Sequence, residues 1–280
     1  MQTQAEKGAT FRDLHHAPEP FVLTNVWDTG SARLFAGLGY KALATTSSGF
    51  AYTSGYRDGE GDFGVAEALD HARLIVEATD LPVSADLENG YADAPEGVAE
   101  TIRQSAAAGL AGCTIEDTHP GEEKFYSFDL AVARIEAAAE AARTAPDPFV
   151  LTARADGLIA GHYDLDEAIR RLQAYQEVGA EVLYAPFLRS LDDIARVCSS
   201  VSAPVNHLGG LGVPGETVAS LATAGVKRIS LGGSLTRVAM GAVYQAGKAL
   251  AETGSFEEVV ASPGWRPILD AIQAGTPRPG

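Results

Sequence analysis

Cysteines and long apolar runs are scarce in this 280-residue sequence. Its two cysteines, Cys113 and Cys198, are too few for a disulfide framework and lack the spacing of a metal site. The sequence contains no run of about 18 apolar residues, so no transmembrane helix is predicted. The first residues, MQTQAEKGATFRDLHH, contain no apolar segment typical of a secretory signal peptide. These absences favour a cytoplasmic protein.

Basic residues are also outnumbered. The chain has 21 Lys and Arg against 37 Asp and Glu, so its formal net charge is -16. An acidic surface repels phosphate backbones and anionic lipids, and we therefore expect neither nucleic acid nor a membrane as a partner. A small anionic substrate fits this charge only where local cations or a metal ion hold it.

Hydrophobic residues make up 46% of the sequence, enough for a large buried core. Many of them fall in eight short runs bounded by turn residues, as expected for strands that are buried on both faces. The runs are FVLTNV (21–26), KALATT (41–46), LPVSADLE (81–88), AGCTIED (111–117), PFVLTAR (148–154), EVLYAP (181–186), APVNH (203–207) and VKRISLG (226–232).

Amphipathic segments separate these runs, and several end in glycine, which readily takes the left-handed conformation that ends a helix. Examples are 64–78, 96–108, 129–144, 165–178 and 214–224. Eight strand–helix repeats predict one (β/α)₈ barrel domain over 1–280, with the barrel at about 18–250 and extra helices in the tail, about 251–280. A doubly wound open sheet is the alternative, although no GxGxxG motif follows the first strand.

Acidic residues follow the second, third and fourth predicted strands. Asp86 and Glu88 are two residues apart and share one face of a strand, Glu116 ends the next strand, and Asp58 lies in the loop after the second. Active sites of barrels lie at the C-terminal ends of the strands. Carboxylates crowded there repel one another unless a cation neutralises them. Oxygen ligands favour a hard ion, so these four residues predict bound Mg²⁺, or Mn²⁺ in its place.

Other polar residues admit a structural interpretation. We expect Asp93 and Asp117 to cap helices rather than bind metal. Arg154 ends the fifth strand and is followed by Asp156, Asn206 and His207 end the seventh, and the loop after the fourth contains His119, Lys124 and Tyr126. His207 suits proton transfer, or it is a hydrogen-bonded residue at the barrel rim. We expect His15 and His16 on the surface, and Cys113, Leu172 and Tyr175 in the core.

Several segments resemble the isocitrate lyase/phosphoenolpyruvate mutase superfamily over roughly residues 20–240: TNVWDTGSARLFAGLGYKALATTSSG, SADLENGYAD, TIEDT, LTARADG and YQEVGAE. The resemblance implies a (β/α)₈ barrel, bound Mg²⁺, and a 2-oxo acid or its enolate as substrate or intermediate. It also implies a homotetramer in which a C-terminal helix is exchanged between neighbours; a dimer is the alternative assembly.

The resemblance also implies residue roles. Among the four carboxylates named above, Asp86 would be the principal metal ligand, and the others would assist, some through water. Arg154 would pair with a substrate carboxylate, which suits the bidentate geometry of a guanidinium. Members of the family often have Asp where Glu88 stands. Backbone groups of Thr46, Ser47 and Ser48 would hold the substrate carboxylate or oxo group.

The loop after the fourth strand departs from the lyases of this family. Members that cleave isocitrate or methylisocitrate have Lys-(Lys/Arg)-Cys-Gly-His there, with the cysteine as acid/base, whereas this loop reads EDTHPGEEKFYSFD (116–129). The Lys-Thr-Asn-Ser segment of the phosphonomutases is not matched either, since Lys124 lies two positions from the aligned lysine. Cleavage of isocitrate or methylisocitrate is therefore disfavoured.

The sequence favours a Mg²⁺-dependent carbon–carbon lyase or decarboxylase that acts on a small 2-oxo or 2-hydroxy (di)carboxylic acid through a metal-stabilised enolate. The alternatives are phosphonopyruvate mutase or hydrolase chemistry and a non-catalytic barrel that binds a 2-oxo acid. The candidate catalytic residues are Arg154, Glu116, His207 and Lys124. The candidate substrate-binding residues are Thr46, Ser47, Ser48, Arg154 and Asn206.

Overall fold

Eight parallel strands form a closed barrel. The computed structural model describes residues 2–119, 124–159, 161–261 and 263–277. The strands are β1 (Phe21–Asn25), β2 (Leu43–Ala44), β3 (Val83–Asp86), β4 (Gly112–Ile115), β5 (Val150–Arg154), β6 (Val182–Tyr184), β7 (Val205–Leu208) and β8 (Arg228–Ser230). Each strand pairs with the next, and β8 pairs with β1, so the predicted (β/α)₈ barrel is confirmed and the open sheet is excluded.

Helices follow the strands and cover the outside of the barrel. Those in the described residues are α1 (Gln4–His16), α2 (Thr29–Gly37), α3 (Ser47–Ser54), α4 (Val65–Ala78), α5 (Pro95–Ala107), α6 (Phe128–Arg143), α7 (Leu165–Glu177), α8 (Leu191–Ser200), α9 (Val218–Thr223), α10 (Ser234–Thr253), α11 (Glu257–Val260) and α12 (Trp265–Ala274). Four of the five predicted helices match α4 to α7 closely. Helix α9 begins later than predicted because Thr217 caps it, with its hydroxyl accepting the Ser220 N–H.

Helix α1 closes the N-terminal end of the barrel. Its side chains donate hydrogen bonds to backbone carbonyls that precede three successive strands: Lys7 to Thr79, Gln4 to Leu110, and Arg12 to Phe149. A small apolar cluster fills the barrel above the helix, with members Phe11, Phe21, Leu23, Ala42, Ala44, Ala111, Val150 and Val182. The larger core, which includes Cys113, Leu172 and Tyr175 as expected, includes the side chains packed between the strands and the outer helices.

His15 is buried under the barrel, so the prediction of a surface position is wrong, while His16 is exposed as expected. The His15 ring lies edge-on to Phe11 and Phe21, with centroid distances of 4.8 and 5.0 Å. Burial, with a further contribution from the charge of Arg228, holds the pKa of His15 well below its usual range. The neutral ring donates from Nδ1 to the Phe11 carbonyl (2.7 Å) and accepts at Nε2 from Arg228 Nη1 (3.3 Å).

Two of the C-terminal helices differ in how far they are covered: α12 is packed and α10 is exposed. Helix α12 lies against α2, where Gly37 is essential because a Cβ there would stand 1.8 Å from the Ala271 carbonyl oxygen. Helix α10 instead exposes apolar side chains, among them Val238 and Val243 at 66% and Tyr244 at 63%. None of the helices in the described residues has the length and hydropathy needed to cross a membrane.

We predict that His15→Phe lowers the free energy of unfolding by about 1–3 kcal/mol, because the buried Arg228 guanidinium loses an acceptor. The edge-on contacts with Phe11 and Phe21 are retained, so the loss reports on the two hydrogen bonds of the His15 ring, to the Phe11 carbonyl and from Arg228. Urea denaturation at neutral pH measures it, with His16→Phe as the control. Equal stability of the two variants would contradict this role of His15.

The same histidine makes stability depend on pH. Because its pKa is lowered in the folded state, the stability that it contributes is present above the unfolded pKa of about 6.5 and is lost as the pH falls below that value. We expect His15→Phe to remove this part of the acid sensitivity in unfolding curves measured between about pH 7 and 5.

Candidate active site

A cavity of about 300 Å³ opens at the C-terminal ends of the strands. It is lined by residues two apart along successive strands and their extensions, because alternate side chains of a strand face the barrel interior. These are Ser84, Asp86 and Glu88 on and just after β3, Thr114, Glu116 and Thr118 on and just after β4, Arg154 and Asp156 at the end of β5, Asn206 and Leu208 on β7, and Arg228, Ser230 and Gly232 on and just after β8.

Arg154 is the centre of a carboxylate cluster in this cavity. Its Nη1 lies 3.0 Å from Asp86 Oδ1, and its Nη2 lies 2.9 Å from Glu116 Oε2. Asp156 binds the same guanidinium in a bidentate manner, at 3.1 Å to Nε and 2.5 Å to Nη2. Three carboxylates therefore share one positive charge, and each side chain is less than one fifth exposed.

Glu88 and Asp58 add further negative charge to the cavity wall. Burial, followed by the charges of Asp86 and Asp58, raises the pKa of Glu88 to about 7. Burial and then the charge of Asp86 also raise the pKa of Asp58, although a hydrogen bond from Ser47 opposes the shift. The cavity thus has more carboxylates than its own cations neutralise.

This set of donors fits a hard divalent cation. Carboxylate oxygens are the ligands that Mg²⁺ prefers, and a cation among them would offset the repulsion that raises the pKa of Glu88. Within the described ranges, no group of three or more His, Cys, Asp or Glu side chains is gathered closely enough to enclose a metal. Mg²⁺ commonly binds through one or two carboxylates and keeps several waters, so an enclosing cage is not required.

Asp86 is held from both sides by hydroxyl groups. Thr114 Oγ1 donates to its Oδ1 (3.1 Å), and Ser47 Oγ donates to its Oδ2 (3.1 Å). Ser47 begins helix α3, which is capped by Thr46, and the Thr46 and Ser48 hydroxyls lie 3.0 Å apart. The three residues 46–48 therefore present hydroxyl and N–H groups of a helix N-terminus beside Asp86.

The floor of the cavity consists of hydrogen-bonded polar side chains. Arg228 Nε donates to Asn206 Oδ1 (2.8 Å), and Asn206 Nδ2 donates to Ser230 Oγ (2.9 Å). Burial lowers the pKa of Arg228 to about 9, so the guanidinium stays charged at neutral pH. Both ends of the Asn206 amide are engaged in the floor.

The structure does not bring His207 or Lys124 into this cavity. His207 follows Asn206 directly and therefore faces the outer helices, where its Nε2 lies 3.0 Å from Glu216 Oε1. Lys124 lines a separate surface cleft together with His119 and Tyr126. Residues 120–123 of the same loop lie outside the described residues.

The two expected helix caps have other roles. Asp93 does not cap α5, which begins after Ala94 without a side-chain cap, and instead accepts a hydrogen bond from the Tyr126 hydroxyl (2.5 Å). Asp117 has a structural role as expected, but it does not act as a cap. It is buried and accepts hydrogen bonds from the Asp156 backbone N–H, the Tyr163 hydroxyl and Arg171.

Asp156 belongs to the cluster but was not among the candidates from the sequence. The sequence does contain a sign of this role, because Asp156 stands two residues after Arg154 and its side chain therefore faces the same side of the strand. Ile159 and Phe187 also line the cavity from loops, where alternation along a strand no longer predicts the direction of a side chain.

Comparisons with known proteins agree with this architecture. The sequence model of the family described as phosphoenolpyruvate phosphomutase matches residues 11–251. The crystal structure of a Burkholderia cenocepacia protein, assigned provisionally as a lyase or mutase, is 46% identical, with a TM-score of 0.90 and 95% of each chain covered.

Two relatives are named for oxaloacetate. The oxaloacetate decarboxylase of Paraburkholderia xenovorans is 29% identical over 79% of this chain and 75% of its own. An oxaloacetate acetylhydrolase, solved with its product oxalate, is 26% identical, with a TM-score of 0.83 and coverage of 95% of this chain and 94% of its own. The chain therefore belongs to the phosphoenolpyruvate phosphomutase family, within the isocitrate lyase/phosphoenolpyruvate mutase superfamily, and is an enzyme.

Proposed function

We propose that this enzyme is a Mg²⁺-dependent carbon–carbon lyase or decarboxylase that acts on a small 2-oxo or 2-hydroxy acid. The observation that carries the proposal is the cluster of cavity carboxylates around Arg154. The loop after β4 contains no cysteine. This fits a decarboxylase, because decarboxylation does not require a cysteine as acid/base. The two relatives named for oxaloacetate support a 2-oxo acid as the class of substrate.

In this proposal Asp86 binds the cation directly, and Asp58, Glu88 and Glu116 assist it, some of them through water. The cation would polarise the 2-oxo group and offset the negative charge that develops as the adjacent bond breaks. The cavity position of all four carboxylates supports the assignment. Mn²⁺ offers the same oxygen coordination.

The side chains of the cavity bind and orient the substrate. The hydroxyl and N–H groups of residues 46–48 hold its carboxylate at the N-terminus of α3, and Arg154 supplies positive charge to its oxygens. We assign proton transfer to Glu116, a carboxyl of the cavity whose pKa is raised by burial, since neither His nor Lys of the described residues lines the cavity. His207 and Lys124 are left without a catalytic role in this proposal, since both lie outside the cavity.

We predict that Asp86→Asn lowers kcat by about 100-fold or more, because the cation stabilises charge in the transition state by several kcal/mol. The assay follows turnover of oxaloacetate, phosphonopyruvate, 2-methylisocitrate and 2,3-dimethylmalate with Mg²⁺ or with a chelator. Asp70→Asn is the matched control, since Asp70 is exposed on α4. Turnover that persists without metal would contradict the proposal, and selective turnover of phosphonopyruvate would favour C–P chemistry.

We predict that Asp156→Asn lowers kcat/KM by about 10- to 100-fold, because Arg154 loses its bidentate partner and shifts in the cavity. The substitution keeps the size of the side chain, so the melting temperature serves as a check on folding. An unchanged kcat/KM in a stably folded variant would show that Asp156 does not position Arg154.

We also propose that the enzyme forms a homo-oligomer through its C-terminal helices, and that the barrel and these helices constitute one domain. The support is the exposed apolar face of α10, since such a face is typical of an interface. Val243→Asp should dissociate the assembly in sedimentation velocity experiments, while Lys248→Asp, a change to a polar residue of the same helix, should not. A monomeric native protein would contradict the proposal.

A further inference from the structure

Two large apolar side chains face the cavity from neighbouring loops. Ile159 follows β5 and Phe187 follows β6, and they remain 45% and 37% exposed. Leu208 on β7 lines the same cavity. Covering exposed apolar side chains with an uncharged part of a ligand is favourable, so these residues indicate a contact with such a part of the substrate.

The backbone of Phe187 supports a role for its side chain. Its φ of 64° lies in the left-handed region, which glycine adopts readily and a bulky residue does not. Such conformations persist only where the surrounding structure holds them, and they cluster at active sites and ligand-binding loops. Ile159 is held next to the carboxylate cluster by a hydrogen bond from its backbone N–H to the Asp156 carbonyl oxygen (3.1 Å).

The charges of the cavity disfavour a second anionic group on the substrate. Five carboxylates line it, against the two guanidinium groups of Arg154 and Arg228. The carboxylates therefore outnumber the cationic side chains by three. A carboxylate at the far end of the substrate would add to this excess, whereas an alkyl group would add no charge and would cover apolar surface.

We infer that the substrate carries an uncharged alkyl branch or chain that contacts Phe187 and Ile159. The class of substrate is then an alkyl-substituted 2-oxo or 2-hydroxy acid, rather than oxaloacetate or phosphonopyruvate. This inference rests on the proposed function, because it assumes that the 2-oxo carboxylate end binds among the cation-binding carboxylates.

Unreactive oxamates with different arms test this inference. Oxamate, N-ethyloxamate, N-propyloxamate and N-oxalylglycine share the 2-oxo carboxylate end and differ only in having no arm, an alkyl arm or a carboxylate arm. Isothermal titration calorimetry with Mg²⁺ should show affinity rising by up to about four-fold for each methylene group that is buried. N-oxalylglycine should bind more weakly than N-propyloxamate.

Substitutions of Phe187 and Ile159 distinguish an effect on ligand binding from an effect on folding. Phe187→Gly removes the ring and relieves the backbone, so we expect an undiminished melting temperature, unchanged affinity for oxamate and loss of the gain from the alkyl arm. Phe187→Leu should retain most of that gain, and Ile159→Ala should reduce it.

Each outcome bears on one of the two proposals. Tightest binding of N-oxalylglycine, or an alkyl gain that survives in Phe187→Gly and Ile159→Ala, would overturn the inference and leave the proposed function intact. Failure of oxamate itself to bind in the presence of Mg²⁺ would overturn the proposed function, and the inference with it.

Discussion

The repulsion among carboxylates at one end of a barrel is the constraint on which the rest of this structure depends. Asp86, Glu116 and Asp156 share the guanidinium of Arg154, while Glu88 and Asp58 stand nearby with raised pKa values. Such a cluster is stable only when its charges are paired or when a cation is bound. The need for positive charge therefore links the fold to the proposed metal-dependent chemistry.

Residues behind the cavity hold the cluster in place. Asp117 accepts hydrogen bonds from the Asp156 N–H and from Arg171, which connects helix α7 with the carboxylate that binds Arg154. Arg134 of α6 is buried, lies 3.7 Å from the centroid of the Tyr126 ring and donates to backbone carbonyls between β3 and α5. These two arginines stabilise the loops behind the cavity. Sequence alone gives little sign of this role, because the carbonyls between β3 and α5 that Arg134 binds and the carboxylate of Asp117 that Arg171 binds are more than 30 residues away.

The barrel was predictable because each strand is a short apolar run between turn signals, and the acidic strand ends then followed from the position of active sites in such barrels. Alternation along β7 directs Asn206 into the cavity and its neighbour His207 toward the outer helices. The sequence shows that the two side chains point in opposite directions, but it does not show which of them points inward. The predictions of a surface position for His15 and of a helix cap for Asp93 were wrong for another reason. Their partners, Arg228 and Tyr126, come from distant parts of the chain, and only the fold brings them together.

Arg228 spans the interior of the barrel from the cavity floor to the helix that closes the opposite end. Its guanidinium contacts Asn206 on one side and His15 of α1 on the other. The first helix is thus connected by hydrogen bonds to the floor of the cavity, although none of its residues lines the cavity. Loss of this helix would leave the buried Arg228 guanidinium without its His15 acceptor, directly beneath the cavity. The N-terminal helix therefore helps to hold the floor of the candidate active site, although it lies at the opposite end of the barrel.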